Sequence, residues 1–187
     1  MNVFELMVEY IKEGRITIDR DKFRGKLATV HDPCNYGRKA EKTFGHGYYE
    51  ELRWIVDQIC TDWVDTYPTA ENNFCCGAGG GAWAMPYNEE RIYYGRKKAD
   101  QIKKTGAEIV VAPCHNCRDQ IMKSIAKEYE LDYETFYLWE LLAHAIVIEP
   151  WAEEKAAKSL AEGEAQWDSF GVELEDYDDD DDWQPPK

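Results

Sequence analysis

The sequence predicts a small α/β domain, with a largely parallel sheet flanked by helices and cysteine-bearing loops at the carboxyl ends of the strands. Two observations carry that prediction. Short apolar runs bounded by turn residues alternate with longer stretches whose apolar residues recur at helical spacing. Each strand-like run is followed by a helix-like one, the order that builds parallel sheets with crossover helices.

In chain order, Phe4, Met7, Val8 and Ile11 share one helical face, and Gly14 ends that run. Residues 1–25 thus read as an N-terminal helix and lead-in to a domain over 26–148. KLATVHD, 26–32, reads as a short buried strand stopped by Pro33. YYEELRWIVDQIC, 48–60, aligns Leu52, Ile55, Val56, Ile59 and Cys60 on one stripe of a helix. WVDTYP, 63–68, has strand composition. NEERIYYGRKKADQIKKTG, 88–106, reads as a helix closed by Gly106, and AEIVVAPC, 107–114, as the next strand. HNCRDQIMKSIAKEYE, 115–130, and YLWELLAHAIVI, 137–148, both read as helices, and EPWAEEKAAKSLAEG, 149–163, as a peripheral one. Residues 164–187 include DYDDDDDW and read as an acidic tail that cannot bury enough surface to offset ordering entropy, so disorder is expected.

Apolar residues make up 44% of the chain and aromatics 13%, enough for a real core. The net charge of −15 is uneven: ten acidic residues and one lysine between Gly163 and Lys187 contribute −9 and leave −6 elsewhere. That balance argues against nucleic acid as the main partner. No apolar run reaches membrane-spanning length, and MNVFELMVEYIKEGR lacks the regions of a signal peptide. The expectation is a cytoplasmic chain with reduced thiols, in which six cysteines are ligands or redox groups and not structural disulfides.

Five of those cysteines fall at strand ends. Cys34 follows the first strand, the Cys75–Cys76 doublet follows the second, and Cys114 and Cys117 follow the third. In a parallel sheet these positions gather in the crevice where such folds bind ligands. Clustered thiolates repel one another, so the pattern calls for metal ions or an iron–sulfur core. Gly77, Gly79, Gly80 and Gly81 would let the main chain approach inorganic sulfide with no Cβ in the way. Zinc is the alternative metal, although structural zinc sites commonly pair two CxxC knuckles and only one is present. A thioredoxin-like dithiol at Cys114–Cys117 is another, and leaves three cysteines without a role. Cys60 lies on an apolar stripe and reads as a small core hydrophobe.

HDPCNYGRK (31–39), FCCGAGGG (74–81) and APCHNC (112–117) together resemble the CCG cysteine-rich domain of heterodisulfide reductase-like proteins. Intervals of 40 and 37 residues separate the three cysteine groups, slightly long for that motif. HDPCNYGRKAEKTFGHG and YLWELLAHAI are similar to the carboxyl-terminal half of the K-type subunits of the dissimilatory sulfite-reductase-associated membrane complex. The resemblance implies a [4Fe–4S] centre, noncubane in some members, ligated by Cys34, Cys75, Cys76, Cys114 and Cys117. It further implies an oxidoreductase subunit that reduces or forms a disulfide on a protein or small molecule, including a small cysteine-tailed sulfur-carrier protein. The partners it implies are a ferredoxin-like iron–sulfur subunit and membrane cytochrome or quinone-linked subunits, which would attach the chain to the cytoplasmic face of the inner membrane. K-type subunits normally carry an upstream CxxCxxCxxxCP segment that this sequence does not contain, so the expectation is either a fragment or split subunit, or electrons supplied by another polypeptide. CCG domains also occur in flavin-linked glycolate and glycerol-phosphate oxidoreductases, where the centre would only relay electrons.

His31 and His115 flank expected ligands and are candidates either to deliver protons to a leaving thiolate or to hydrogen-bond sulfur. Arg91, Arg96, Lys97, Lys98, Lys103 and Lys104 make the 88–104 helix basic, which reads as a solvated face.

Overall fold

The computed structural model describes residues 1–149, 152, 154, 155 and 157–162. A short N-terminal helix, α1 (Val3–Lys12), is started by Asn2, whose side chain accepts from Phe4 N while Glu5 returns to the Asn2 amide. That reciprocal cap satisfies donors the first turn leaves free. It aims Phe4 into the core, where Phe4 is fully buried. Then come β1 (Ala28–Val30), α2 (Ala40–Phe44), α3 (Tyr49–Ile59), β2 (Trp63–Asp65) and α4 (Asn88–Thr105). β3 (Ile109–Val111) leads into α5 (His115–Asp119), which passes through a wider π-helical stretch, Gln120–Ile125, into α6 (Ala126–Glu128). β4 (Glu134–Phe136) and α7 (Leu138–Ala145) complete the order.

The four strands form one parallel sheet in the order β2-β1-β3-β4. Ala28 stands opposite Trp63 on one side and Ile109 on the other, and Ile109 stands opposite Glu134. Period-two alternation divides the core between the two faces. Ile109 and Val111 pack with Ala28, Val30 and the apolar stripes of α1, α3 and α7. Val110 and Ala112 pack oppositely, with Ala99 and Ile102 of α4 and with Ile121 and Ile125. Helices thus cover both faces, and the strands read as unbroken apolar runs because neither side meets water. All of this lies within one unit, Met1–Ile146.

The expected α/β class and parallel sheet are observed. The expected helix stripe is also buried: Leu52, Ile55, Val56 and Ile59 face the core, and Cys60 joins them, its thiol pushed up to about 11 by burial. The acidic tail expected over 164–187 lies outside the described residues. Within the helix expected over 149–163, residues 152, 154, 155 and 157–162 are helical.

The strand order fixes where a ligand belongs. From β1 the chain steps outward to β2, then crosses back over β1 to reach β3. Connections therefore leave β1 and β3 in opposite directions, and a crevice opens between their carboxyl ends, the topological switch point of the sheet.

Candidate metal centre

The residues following β1 and β3 deliver the first part of the site. His31, Asp32 and Cys34 leave β1, and Cys114, Asn116 and Cys117 leave β3 and open α5. The third part is the long connection from β2 to α4, which carries Cys75, Cys76 and Gly79–Gly81. A cavity of about 230 Å³ lies among them, and Cys34, Cys75, Cys76, Cys114 and Cys117 all line it. The Cys76 and Cys117 sulfurs are 3.2 Å apart, and a ring nitrogen of His31 lies within 4.8 Å of both. Gly77 N donates to Cys75 Sγ at 3.3 Å.

β2 is an edge strand, so its connection must be pulled inward to reach the switch point. Arg53 of α3 performs that task. Its guanidinium donates to both Asp32 oxygens at 2.8 and 2.9 Å, to Asp65 and to Thr69 Oγ1. Asp32 also accepts from Ala70 N at 3.0 Å, so one carboxylate links the end of β1, α3 and the incoming loop. Arg38 donates to the Glu71 and Asn73 carbonyls, and Asn73 donates from Nδ2 to Asp32 O at 2.7 Å. Removing one partner of such a buried pair leaves the other charge unpaired in a dry place, which costs about 3–5 kcal/mol. Arg53→Met is accordingly expected to lower stability by about that amount in chemical denaturation. Asp32→Asn, which keeps the acceptor oxygen and removes the charge, is expected to lose less.

The doublet then crosses α4 at close range. Gly77 has φ +95°, and a Cβ there would come within 3.0 Å of the Arg91 carbonyl, closer than real Cβ atoms approach. A Cβ on Gly95 would meet Cys76 O at 2.7 Å. Two glycines, one in the motif and one inside the helix, therefore permit a backbone-to-backbone crossing.

The sulfurs do not ionise alike. Hydrogen bonds from Cys117 and then Cys75 hold Cys76 well below the ordinary thiol value, and Cys114 is pulled down to about 6 chiefly by Cys117. Cys117 is driven up by its neighbours Cys114 and Cys76, and Cys75 by Cys76 and burial. Adjacent thiols share protons because several thiolates cannot form together without a cation. His31 is pushed down first by burial and then by Lys98, so its ring is neutral at pH 7; Nδ1 faces Asn73 at 3.5 Å and Nε2 is buried without a partner.

Several expected residues take other places. His115 does not line the cavity; its side chain is 70% exposed, with Nδ1 on the Tyr137 hydroxyl and Nε2 3.7 Å from Asp119. Gly79, Gly80 and Gly81 line the cavity, whereas Gly77 faces α4. The basic helix is not wholly a solvated face: Arg91 and Lys98 are buried and Arg96 is half-buried, while Lys97, Lys103 and Lys104 are exposed. Lys98 Nζ donates to Asn73 Oδ1. Burial lowers Lys98 to about 7, even with Asp32, Cys76, Cys117 and Cys75 acting in the opposite direction. Sequence pattern does not single out Lys98, Asn73 or the Asp32–Arg53 pair. The available signal was Gly95 within a helix, since a mid-helix glycine has a packing reason, and Lys98 lies three residues on.

Among the described residues, no helix is long and apolar enough to cross a membrane. Residues 28–122 match the family described as CCG, a cysteine-rich domain. The chain is 30% identical, over 82% of its length, to an Hdr-like menaquinol oxidoreductase iron-sulfur subunit of Archaeoglobus profundus, and covers 28% of that protein. It is 26% identical over 80% of its length to a subunit of the dihydromethanophenazine:CoB–CoM heterodisulfide reductase of Methanosarcina mazei, covering 34% of it. It is also 32% identical over 61% of its length to a subunit of the fumarate reductase (CoM/CoB) of Methanothermobacter marburgensis, covering 22% of it. With residues 28–122 matched and the three cysteine groups brought to one cavity, the chain belongs to the CCG cysteine-rich domain family.

Proposed function

We propose that this chain is the electron-transferring, iron–sulfur part of an oxidoreductase, and that Cys34, Cys75, Cys76, Cys114 and Cys117 hold a [4Fe–4S] centre that serves a thiol–disulfide substrate. The observation that carries this reading is the shared cavity: five soft sulfur donors, from three separated stretches of sequence, line one space at the switch point. Soft thiolates select iron–sulfur cores and zinc over hard cations. A polynuclear core accounts for all five sulfurs, where a tetrahedral zinc site needs four ligands. The relatives, which include iron-sulfur subunits and a heterodisulfide reductase subunit, support the same choice.

When bound, such a group supplies electrons singly, and reducing one disulfide consumes two electrons and two protons. The chain's own residues serve the rest. Gly79, Gly80 and Gly81 leave one wall of the cavity without side chains, so the mouth stays open to a second molecule. Arg38 and Lys39 place positive charge on the lining and favour an anionic thiol. His31, neutral and buried, offers a hydrogen bond to sulfur at the floor. Electrons would arrive from a ferredoxin-like partner, and membrane attachment would come through quinone- or cytochrome-linked partners.

A second reading has one observation in its favour: His31, Cys76 and Cys117 present ligand atoms within 4.8 Å of one another, a geometry that suits a single zinc ion. Anaerobic incubation with iron and sulfide separates the two. The proposed function predicts a brown chain with broad visible absorbance that reacts with a small disulfide after reduction. A colourless chain that retains one zinc and ignores disulfides would support the second reading.

A further inference from the structure

Lys98 presents an electrostatic problem that the fold alone leaves open. Its side chain is fully buried, in a helix otherwise rich in surface charge. Isolated buried ammonium groups are strongly disfavoured unless paired with an anion. Among the described residues its hydrogen-bond partner is the neutral amide of Asn73, and no carboxylate makes an ion pair with it. Asp32, the carboxylate whose charge acts most on it, already gives both oxygens to Arg53 and one of them to Ala70 N as well.

Besides Asp32, the groups whose charge acts on Lys98 are the thiols of Cys76, Cys117 and Cys75. Through Asn73 it is two hydrogen bonds from His31, which lines the cavity and sits against Cys76 and Cys117. It comes from the same helix that Gly77 and Gly95 bring against the doublet, so backbone packing holds that helix against Cys76. A metal–thiolate assembly in that cavity would be anionic and would grow more so on reduction.

We propose that Lys98 is the built-in counter-charge of the cysteine centre, a positioning residue that touches no substrate and sets the reduction potential of the group held there. The inference rests on the iron–sulfur reading above. The physical logic is short. A fixed positive charge in a low-dielectric interior favours the more negative, reduced state of a neighbouring centre, and removing it shifts the balance toward the oxidised state. Asn73 orients the ammonium and relays it to the lining without adding charge.

Two variants of the full chain test this. Lys98→Met keeps the length of the side chain and deletes the charge. Asn73→Asp keeps Lys98 and supplies a carboxylate where the amide stood, so it neutralises the cation by a different route. With iron and sulfide reconstituted, both are expected to disfavour reduction by at least tenfold, equivalent to about 59 mV lower in a one-electron titration. A purely structural lysine would change the melting temperature without moving the midpoint, and two unchanged midpoints at full iron content would overturn the assignment. If the wild-type chain holds no iron, the iron–sulfur reading fails separately and the apo chain decides. An unmatched cation predicts that Lys98→Met melts no lower than wild type, whereas a drop of several degrees would mean that the fold itself satisfies the charge.

Discussion

Serine in place of Cys76 or Cys117 is expected to cut the iron retained after reconstitution at least tenfold while leaving the apo fold intact. These two sulfurs lie 3.2 Å apart at the buried floor of the cavity, so neither can be replaced by a neighbouring side chain. Serine preserves size and hydrogen bonding but offers a hard, reluctantly ionised oxygen where a soft thiolate is needed. Cys60→Ser provides the comparison. Its sulfur belongs to the opposite core cluster and does not line the cavity, so iron content should stay at the wild-type level while stability falls. Colorimetric iron measured against protein concentration reads both outcomes. Equal iron in the Cys76→Ser and wild-type chains would remove the doublet from the ligand set.

Gly77→Ala is expected to be the most damaging single methyl in the molecule. At φ +95° an L-residue is strained, and the added Cβ would press on the Arg91 carbonyl, a backbone atom held within a helix. Strain of that kind costs about 1–3 kcal/mol and overpacking about the same again, for a total near 2–6 kcal/mol. At roughly 2–4 °C per kcal/mol for a chain of this size, the melting temperature should fall by about 10 °C. Gly79→Ala, with nothing within 4 Å of its added Cβ, is expected to stay within about 0.5 kcal/mol of wild type. If the two alanine variants melt together, the crossing of the doublet over α4 is not what requires a glycine in the motif.

Much of the frame was legible because period and punctuation agree. Pro33 follows KLATVHD and Pro113 follows AEIVVA, each closing an apolar run, and near-continuous apolar runs are what parallel strands buried on both faces look like. The convergence of three cysteine groups followed from strand direction alone. β4 was not predicted: Glu134–Phe136 is only three residues long, and the flanking acidic and tyrosine residues of LDYETFY hide it. The turn after Cys34 was also missed. Asn35–Lys39 is wide and irregular, with Gly37 outside helical geometry and pressed against the Tyr49 ring, so no helical period could announce it.

The failure at Lys98 has a different cause. Arg91, Gly95, Lys98 and Ile102 form one stripe of α4 at spacings of four, three and four, the spacing of a buried face. Because two of those positions are cationic, the stripe reads as solvated, and only the tertiary structure shows what they meet. The same holds for Arg53 and Asp32, which lie in different elements and are joined by the sheet. Local pattern finds elements and motifs, whereas pairings between distant charged residues depend on topology, and this is where the positioning machinery of the cavity resides.

Mössbauer spectroscopy of the chain reconstituted anaerobically with iron-57 and sulfide tests the central claim most directly. A shared sulfur-lined centre predicts about four irons per chain, with the spectrum of a coupled cluster that is lost together when Cys34 or Cys117 is replaced. A chain that carries one zinc or isolated iron ions, indifferent to Cys34, would contradict it.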